Sequence, residues 1–251
     1  MKAKLEQARV ALITGGARRI GSTIVKRLHE SGINVVIHYR KSRKEAMALH
    51  KELNKIRKNS AVAISANLSD LKALPKLIKS AKNAWGRLDI LVNNAAGFYE
   101  TPVGTVTEKE WNDLMDSNLK SPFFLSQAAV PELRKHQGCI VNITDIHAER
   151  PLESYSVYCM TKSGLVMMTK ALAKELGPEI RVNAVAPGAI LWPEESNALA
   201  DAVKQRIISK TALKSVGVPE YIASAVNYLV TDADYVTGQV YAVDGGRSLS
   251  T

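Results

Sequence analysis

Seven short runs of apolar, β-rich residues recur along the chain, with helical periodicity between them, and this alternation constrains the fold more than any other feature. The runs cover 10–13, 33–37, 61–64, 88–92, 139–143, 181–185 and 239–243. Each is apolar at consecutive positions rather than alternate ones, the pattern of strands buried on both faces. Strand and helix alternating in this way build a mainly parallel sheet with helices on either side. The fold class expected is therefore α/β, a doubly wound sheet of about seven strands. A chain of 251 residues with 46% hydrophobic content can bury such a sheet as one domain spanning 1–251, and no Pro/Gly/Ser-rich linker or internal repeat divides it.

Local signals support the phasing. Thr107 with Glu110 three residues on is a capping box, placed before the apolar Trp111 and Leu114. Ser42 is positioned to cap the helix after the second strand. The stretch 189–213 carries no decodable pattern, and reads either as a loop and short helix closing over a site or as a surface excursion.

Composition bounds the partners. The 34 basic and 24 acidic side chains leave a formal charge of +10 and favour anionic ligands. Nucleic acid is disfavoured, because the basic residues are spread at helix-like spacing without interleaved aromatics; an anionic small molecule suits the pattern better. No apolar run approaches the ~20 residues of a membrane span, and the first apolar run ends at once in Thr14-Gly15-Gly16, unlike a signal peptide. A soluble, cytoplasmic protein without membrane partners is expected. Cys139 and Cys159 are too few for a zinc site or a disulfide framework. The five histidines show no ligand spacing, so no metal is expected.

The first strand runs into Thr14-Gly15-Gly16-Ala17-Arg18-Arg19-Ile20-Gly21, which opens a helix reaching Glu30. A glycine-rich turn at that junction aims backbone N–H groups and the positive helix end at an anion, the arrangement that holds a dinucleotide pyrophosphate in a Rossmann fold. The second strand ends in His38-Tyr39-Arg40-Lys41-Ser42, with no carboxylate to bind the ribose hydroxyls of NAD. Arg40, Lys41 and Ser42 instead suit a 2′-phosphate, which selects NADPH.

Tyr158 and Lys162 stand four residues apart, on one face of a helix. A phenol titrates near about 10 in water. A neighbouring ammonium would lower that value and make Tyr158 usable for proton transfer at neutral pH.

Glycine loop, Asn93-Asn94-Ala95-Ala96-Gly97, Asn118, Tyr158 with Lys162, Pro187-Gly188, and a terminal Val243-Asp244-Gly245-Gly246 occur in one order along essentially the whole chain. Together they resemble the short-chain dehydrogenase/reductase family. The resemblance implies that Tyr158 donates the proton, that Lys162 binds the nicotinamide ribose and tunes Tyr158, and that Asn118 supports a water-linked relay. It also implies cofactor contacts from Gly15, Arg18, Arg19, Ile20, Gly21, Asn67, Leu68, Asn94, Ala95, Ala96, Pro187, Gly188 and Ile190, besides the basic segment 38–42. Family resemblance further implies a homotetramer, with the helices around 118–133 and 158–176 between subunits.

Two departures narrow the reading. Arg19 holds the middle glycine position of the loop, and Asp145, thirteen residues before Tyr158, replaces the usual serine. With Phe98-Tyr99 after the Asn-Asn-Ala motif, these look like the pteridine reductases, which reduce pterins and often folates with NADPH. That likeness implies that Phe98 stacks on the pterin ring while Arg19, Asp145 and Tyr158 surround its polar edge. Ala96 and Asn67 depart from the pteridine reductase pattern, which places a hydroxyl and an aspartate there. His147, two residues beyond Asp145, stands as a further pocket candidate. The competing readings are a general carbonyl reductase, for instance of 3-oxoacyl thioesters, and a non-catalytic NADPH-sensing protein on the same fold.

Overall fold

Successive side chains of β1 (Val10–Ile13) leave opposite faces of the strand, and all four are buried. Val10 and Leu12 enter one core; Ala11 and Ile13 enter another. A strand with two buried faces must be central, and β1 lies between β2 (Asn34–Tyr39) and β4 (Ile90–Asn93). The computed structural model describes residues 8–190 and 201–250. Its strands, completed by β3 (Ala61–Ser65), β5 (Cys139–Ile143), β6 (Arg181–Pro187) and β7 (Val240–Val243), form one parallel sheet in the order β3-β2-β1-β4-β5-β6-β7.

On one face pack α1 (Arg19–Glu30), α2 (Arg43–Ile56) and α8 (Pro219–Thr231), through residues such as Ile24, Leu28, Leu49, Leu53, Ile222 and Val226. On the other face lie α3 (Leu74–Trp85), α5 (Ser121–Lys135) and α6 (Ser156–Leu176), which contribute Leu77, Ile78, Leu125, Leu133, Ala173 and Leu176. Two apolar clusters separated by the sheet are what a doubly wound fold requires, so the expected fold class holds. No helix among the described residues is long and apolar enough to cross a membrane.

The expected runs match the strands to within two residues at their ends. The Thr107 capping box forms at the start of α4 (Glu108–Met115), with the Glu110 N–H donating to the Thr107 hydroxyl at 3.3 Å and the Thr107 N–H to the Glu110 carboxylate at 2.8 Å. Ser42 does stand at the N-cap of α2, but its side chain makes no capping bond. Its backbone, at ψ 55°, lacks the extended conformation that turns an N-cap oxygen onto the first helical N–H groups. Between α4 and α5 the chain makes a π-turn at Asp116–Lys120, where Asn118 is buried. The last helix before α8 is α7 (Asp201–Ser209). Of the segment 189–213, residues 191–200 lie outside the described residues.

Candidate active site

In a doubly wound sheet the loops leave β1 and its neighbour β4 in opposite directions, and a crevice opens beyond their carboxyl ends. A cavity of about 820 Å³ lies there. Its floor is the glycine loop. Gly15 adopts φ +60°, and its N–H donates to Nδ1 of His38 at 3.1 Å, while the Gly16 N–H donates to the His38 carbonyl at 2.9 Å. The other ring nitrogen of His38 faces the Ala66 carbonyl at 3.1 Å. A backbone N–H can only donate and a carbonyl can only accept, so the ring is neutral with its proton on Nε2. Burial accordingly pushes its pKa down to about 4. Just beyond β4, the N–H groups of Asn94 and Ala95 donate to the Thr14 hydroxyl at 2.9 and 3.0 Å, and the Asn94 amide donates to the Thr14 carbonyl at 2.8 Å.

The loop is closely packed, and a Cβ on Gly21 would run into the Gly15 carbonyl and come within 2.6 Å of the Asn94 amide nitrogen. Helix α1 opens without a side-chain cap and without an acidic residue in its first turn. An uncapped helix start beside a cradle with no room for a side chain fits a pyrophosphate. Of the residues expected at the cofactor, Arg18, Arg19, Ile20, Arg40, Asn67, Leu68, Ala95, Ala96, Pro187, Gly188 and Ile190 line the cavity, with Gly15, Gly21, His38 and Asn94. Tyr39, Lys41 and Ser42 do not. Side chains alternate along a strand, so His38 and Arg40 share the cavity side while Tyr39 turns away; Lys41 and Ser42 already lead into α2.

At the far end, α6 presents Tyr158 and Lys162, both nearly inaccessible to solvent. The Tyr158 hydroxyl donates to the Asp145 carboxylate at 2.7 Å, and the other Asp145 oxygen accepts from the His147 N–H at 2.8 Å. Lys162 Nζ donates to the Ile143 carbonyl at 2.9 Å and lies 5.6 Å from the centre of the Tyr158 ring. This overturns the expectation that the ammonium lowers the Tyr158 pKa. Burial first, and then the Asp145 carboxylate against its hydroxyl, raise the phenol well above its ordinary value. Burial lowers Lys162 to about 8, with Asp145 working the other way.

Asn118 does not reach the cavity. Its amide donates to the Gly97 carbonyl at 2.9 Å and to the Thr161 hydroxyl at 3.2 Å, and its oxygen accepts from the Gly97 N–H at 2.7 Å. The side chain ties the π-turn to α6 and to the loop after β4. Phe98, half exposed, stands at the mouth with one face stacked on Tyr155 at 4.6 Å and its ring edge-on to Tyr158 at 4.8 Å.

The sequence profile described as enoyl-(acyl carrier protein) reductase matches residues 15–248. The chain belongs to the short-chain dehydrogenase/reductase family. It is thus an oxidoreductase of that type. Relatives include the 3-oxoacyl-[acyl-carrier-protein] reductase FabG of Staphylococcus aureus, 36% identical over 245 residues, covering 96% of this chain and 99% of the relative. Pteridine reductase 1 of Leishmania tarentolae is 34% identical over 283 residues, covering 97% of each chain. The granaticin polyketide synthase putative ketoacyl reductase 2 of Streptomyces violaceoruber is 35% identical over 253 residues, again 97% of each.

Against the family pattern, Arg19 is informative. Its backbone lies at φ +52°, the left-handed region that glycine enters freely, which explains the family's glycine and shows that an arginine is held there against its own preference. Sequence reasoning missed Tyr155, Glu100, Asp113 and Arg247, all of which line the cavity. Tyr155 was findable, since it precedes Tyr158 by one helical turn. Arg247 carries no local signal, because only the placement of β7 beside β6 brings it to the site.

Proposed function

We propose that the protein reduces pterins with NADPH, taking a dihydropterin such as dihydrobiopterin, dihydromonapterin or dihydrofolate to the tetrahydro form. The observation that carries this reading is the 2.7 Å hydrogen bond from Tyr158 to Asp145. A carboxylate in contact with the proton donor would repel the oxyanion that develops on a ketone. Beside a nitrogen heterocycle it accepts ring N–H groups and joins the path that returns a proton to a ring nitrogen.

The residues of the glycine loop fit the dinucleotide, of which Arg40 would hold the 2′-phosphate and Lys162 the nicotinamide ribose. NADPH, when bound, supplies the hydride taken up by the carbon of a C=N bond. Tyr158 and Asp145 hold between them the proton that the adjacent nitrogen receives, and solvent replaces it. Arg19 and Phe98 orient the ring, Phe98 by an offset stack on its open face. Asn118 acts as a brace that keeps α6 and the loop after β4 in register. Val203 and Ile207 of α7 line the cavity, which supports a covering role for the 189–213 segment. Exposed Phe123, Phe124, Met160 and Met167 on α5 and α6 support a homotetramer.

A second reading, reduction of 3-oxoacyl thioesters, has the higher identities behind it, 36% for the 3-oxoacyl-[acyl-carrier-protein] reductase against 34% for the pteridine reductase. NADPH consumption with a panel of the three dihydropterins, a 3-oxoacyl thioester and a simple ketone separates the two. Faster turnover with the pterins is expected, and a higher kcat/KM for the thioester would replace the first reading by the second. NADH in place of NADPH tests the cofactor, with much weaker turnover expected.

A further inference from the structure

After β7 the chain makes a short turn, Arg247–Leu249, at the rim of the cavity. The Asp244 carboxylate accepts from the N–H groups of Gly246 and Ser248 at 2.9 and 2.7 Å, and the Leu213 N–H donates to the Gly245 carbonyl at 3.0 Å. The Arg150 guanidinium donates to the Ser250 carbonyl at 2.9 Å. Gly246 sits at φ +77°, packed against Ala212. This scaffold presents Arg247, partly buried, to the cavity.

Arg247 makes no ion pair or side-chain hydrogen bond among the described residues. The two carboxylates whose fields it feels, Asp145 and Asp244, hydrogen-bond other groups rather than its guanidinium. Asp145 bonds Tyr158 and His147 through its two oxygens, and Asp244 bonds two backbone N–H groups. A planar guanidinium with five donors, partly out of water and without an ion pair or side-chain hydrogen bond among the described residues, has donors to offer an external anion. The rest of the site says where that anion belongs. Glu100 and Asp113 line the cavity near the end of β4. Arg247 follows β7, three strand spacings away, or about 14 Å. Glu100 and Asp113 thus stand toward the Phe98 side of the mouth and Arg247 toward the other, with Asp145 between them.

We propose that Arg247 is a subsite for a carboxylate carried on the side chain of the substrate, so that the preferred pterin is one with an anionic, folate-type tail. This rests on the pterin reading of the site. The test compares kcat/KM for dihydrofolate, whose tail ends in carboxylates, with that for dihydrobiopterin, whose tail is neutral, in the wild type and in R247Q, R247K and R247E. The dihydrofolate-to-dihydrobiopterin ratio is expected to fall at least tenfold in R247Q, through KM rather than kcat, to fall further in R247E, and to be largely kept in R247K. Because each variant is its own reference, a general loss of folding cancels from the ratio. Raised salt should weaken dihydrofolate binding selectively in the wild type. A ratio unchanged in R247Q and R247E overturns the subsite while leaving pterin reduction intact. Failure of the wild type to reduce either pterin overturns both, and is recognised before any variant is made.

Discussion

Arg19 holds a left-handed backbone conformation that costs a side-chain-bearing residue about 1 kcal/mol. Replacing it by glycine removes that strain, so Arg19→Gly is expected to leave the thermal midpoint unchanged or raised while kcat/KM for dihydrobiopterin falls tenfold or more. Loss of stability without loss of activity would reverse the interpretation. Tyr158→Phe removes the hydroxyl that contacts Asp145, and kcat should drop by roughly 100-fold or more, with NADPH affinity, read by fluorescence titration, nearly kept. His38 sets a pH dependence of a different kind. In the unfolded chain it takes up a proton as pH falls through its ordinary value of 6.5, whereas burial delays this to about 4 in the folded state. The unfolded form therefore binds more protons in that window, and the stability this site contributes is whole above pH 6.5 and lost between 6.5 and about 4, by up to about 3 kcal/mol. Chemical denaturation across this window should show a shallower decline in His38→Gln than in the wild type. The decline will not vanish, because burial also lowers the His29 pKa.

At the scale of elements, the glycine loop and α1 act as one unit. Gly21→Ala places a methyl against the Gly15 carbonyl and the Asn94 amide, groups that cannot move without opening the loop. Loss of NADPH binding is expected, with the sheet preserved by circular dichroism. Helix α4 depends on its capping box. Thr107→Ala should cost about 1 kcal/mol in urea denaturation with little change in kcat, since Thr107 lies outside the cavity lining. The strand positions were legible because continuous apolar runs demand burial on both faces, and the Thr107–Glu110 signature is a local hydrogen-bonding pattern. The failure of Ser42 to cap α2 was not legible, because it depends on the backbone angle at which β2 hands over to the helix.

At the scale of the whole molecule, α5 and α6 leave Phe123, Phe124, Met160 and Met167 exposed, and the homotetramer proposed above would cover them with other copies of the chain. Light scattering should report a tetramer, and Phe124→Glu together with Met167→Glu should yield smaller species; a monomeric wild type would contradict the proposal. From its sequence alone the chain determined its layered fold, the places of its apolar strands along the chain, the glycine loop and the Tyr158–Lys162 pair, because each is written in local spacing and periodicity. Only the tertiary structure decided that Asp145 rather than Lys162 touches the Tyr158 hydroxyl, that Asn118 is spent as a brace, and that Arg247 faces the same cavity. Those outcomes depend on which strand ends and helices the sheet order brings together, and no short-range pattern encodes distances between residues so far apart in the chain.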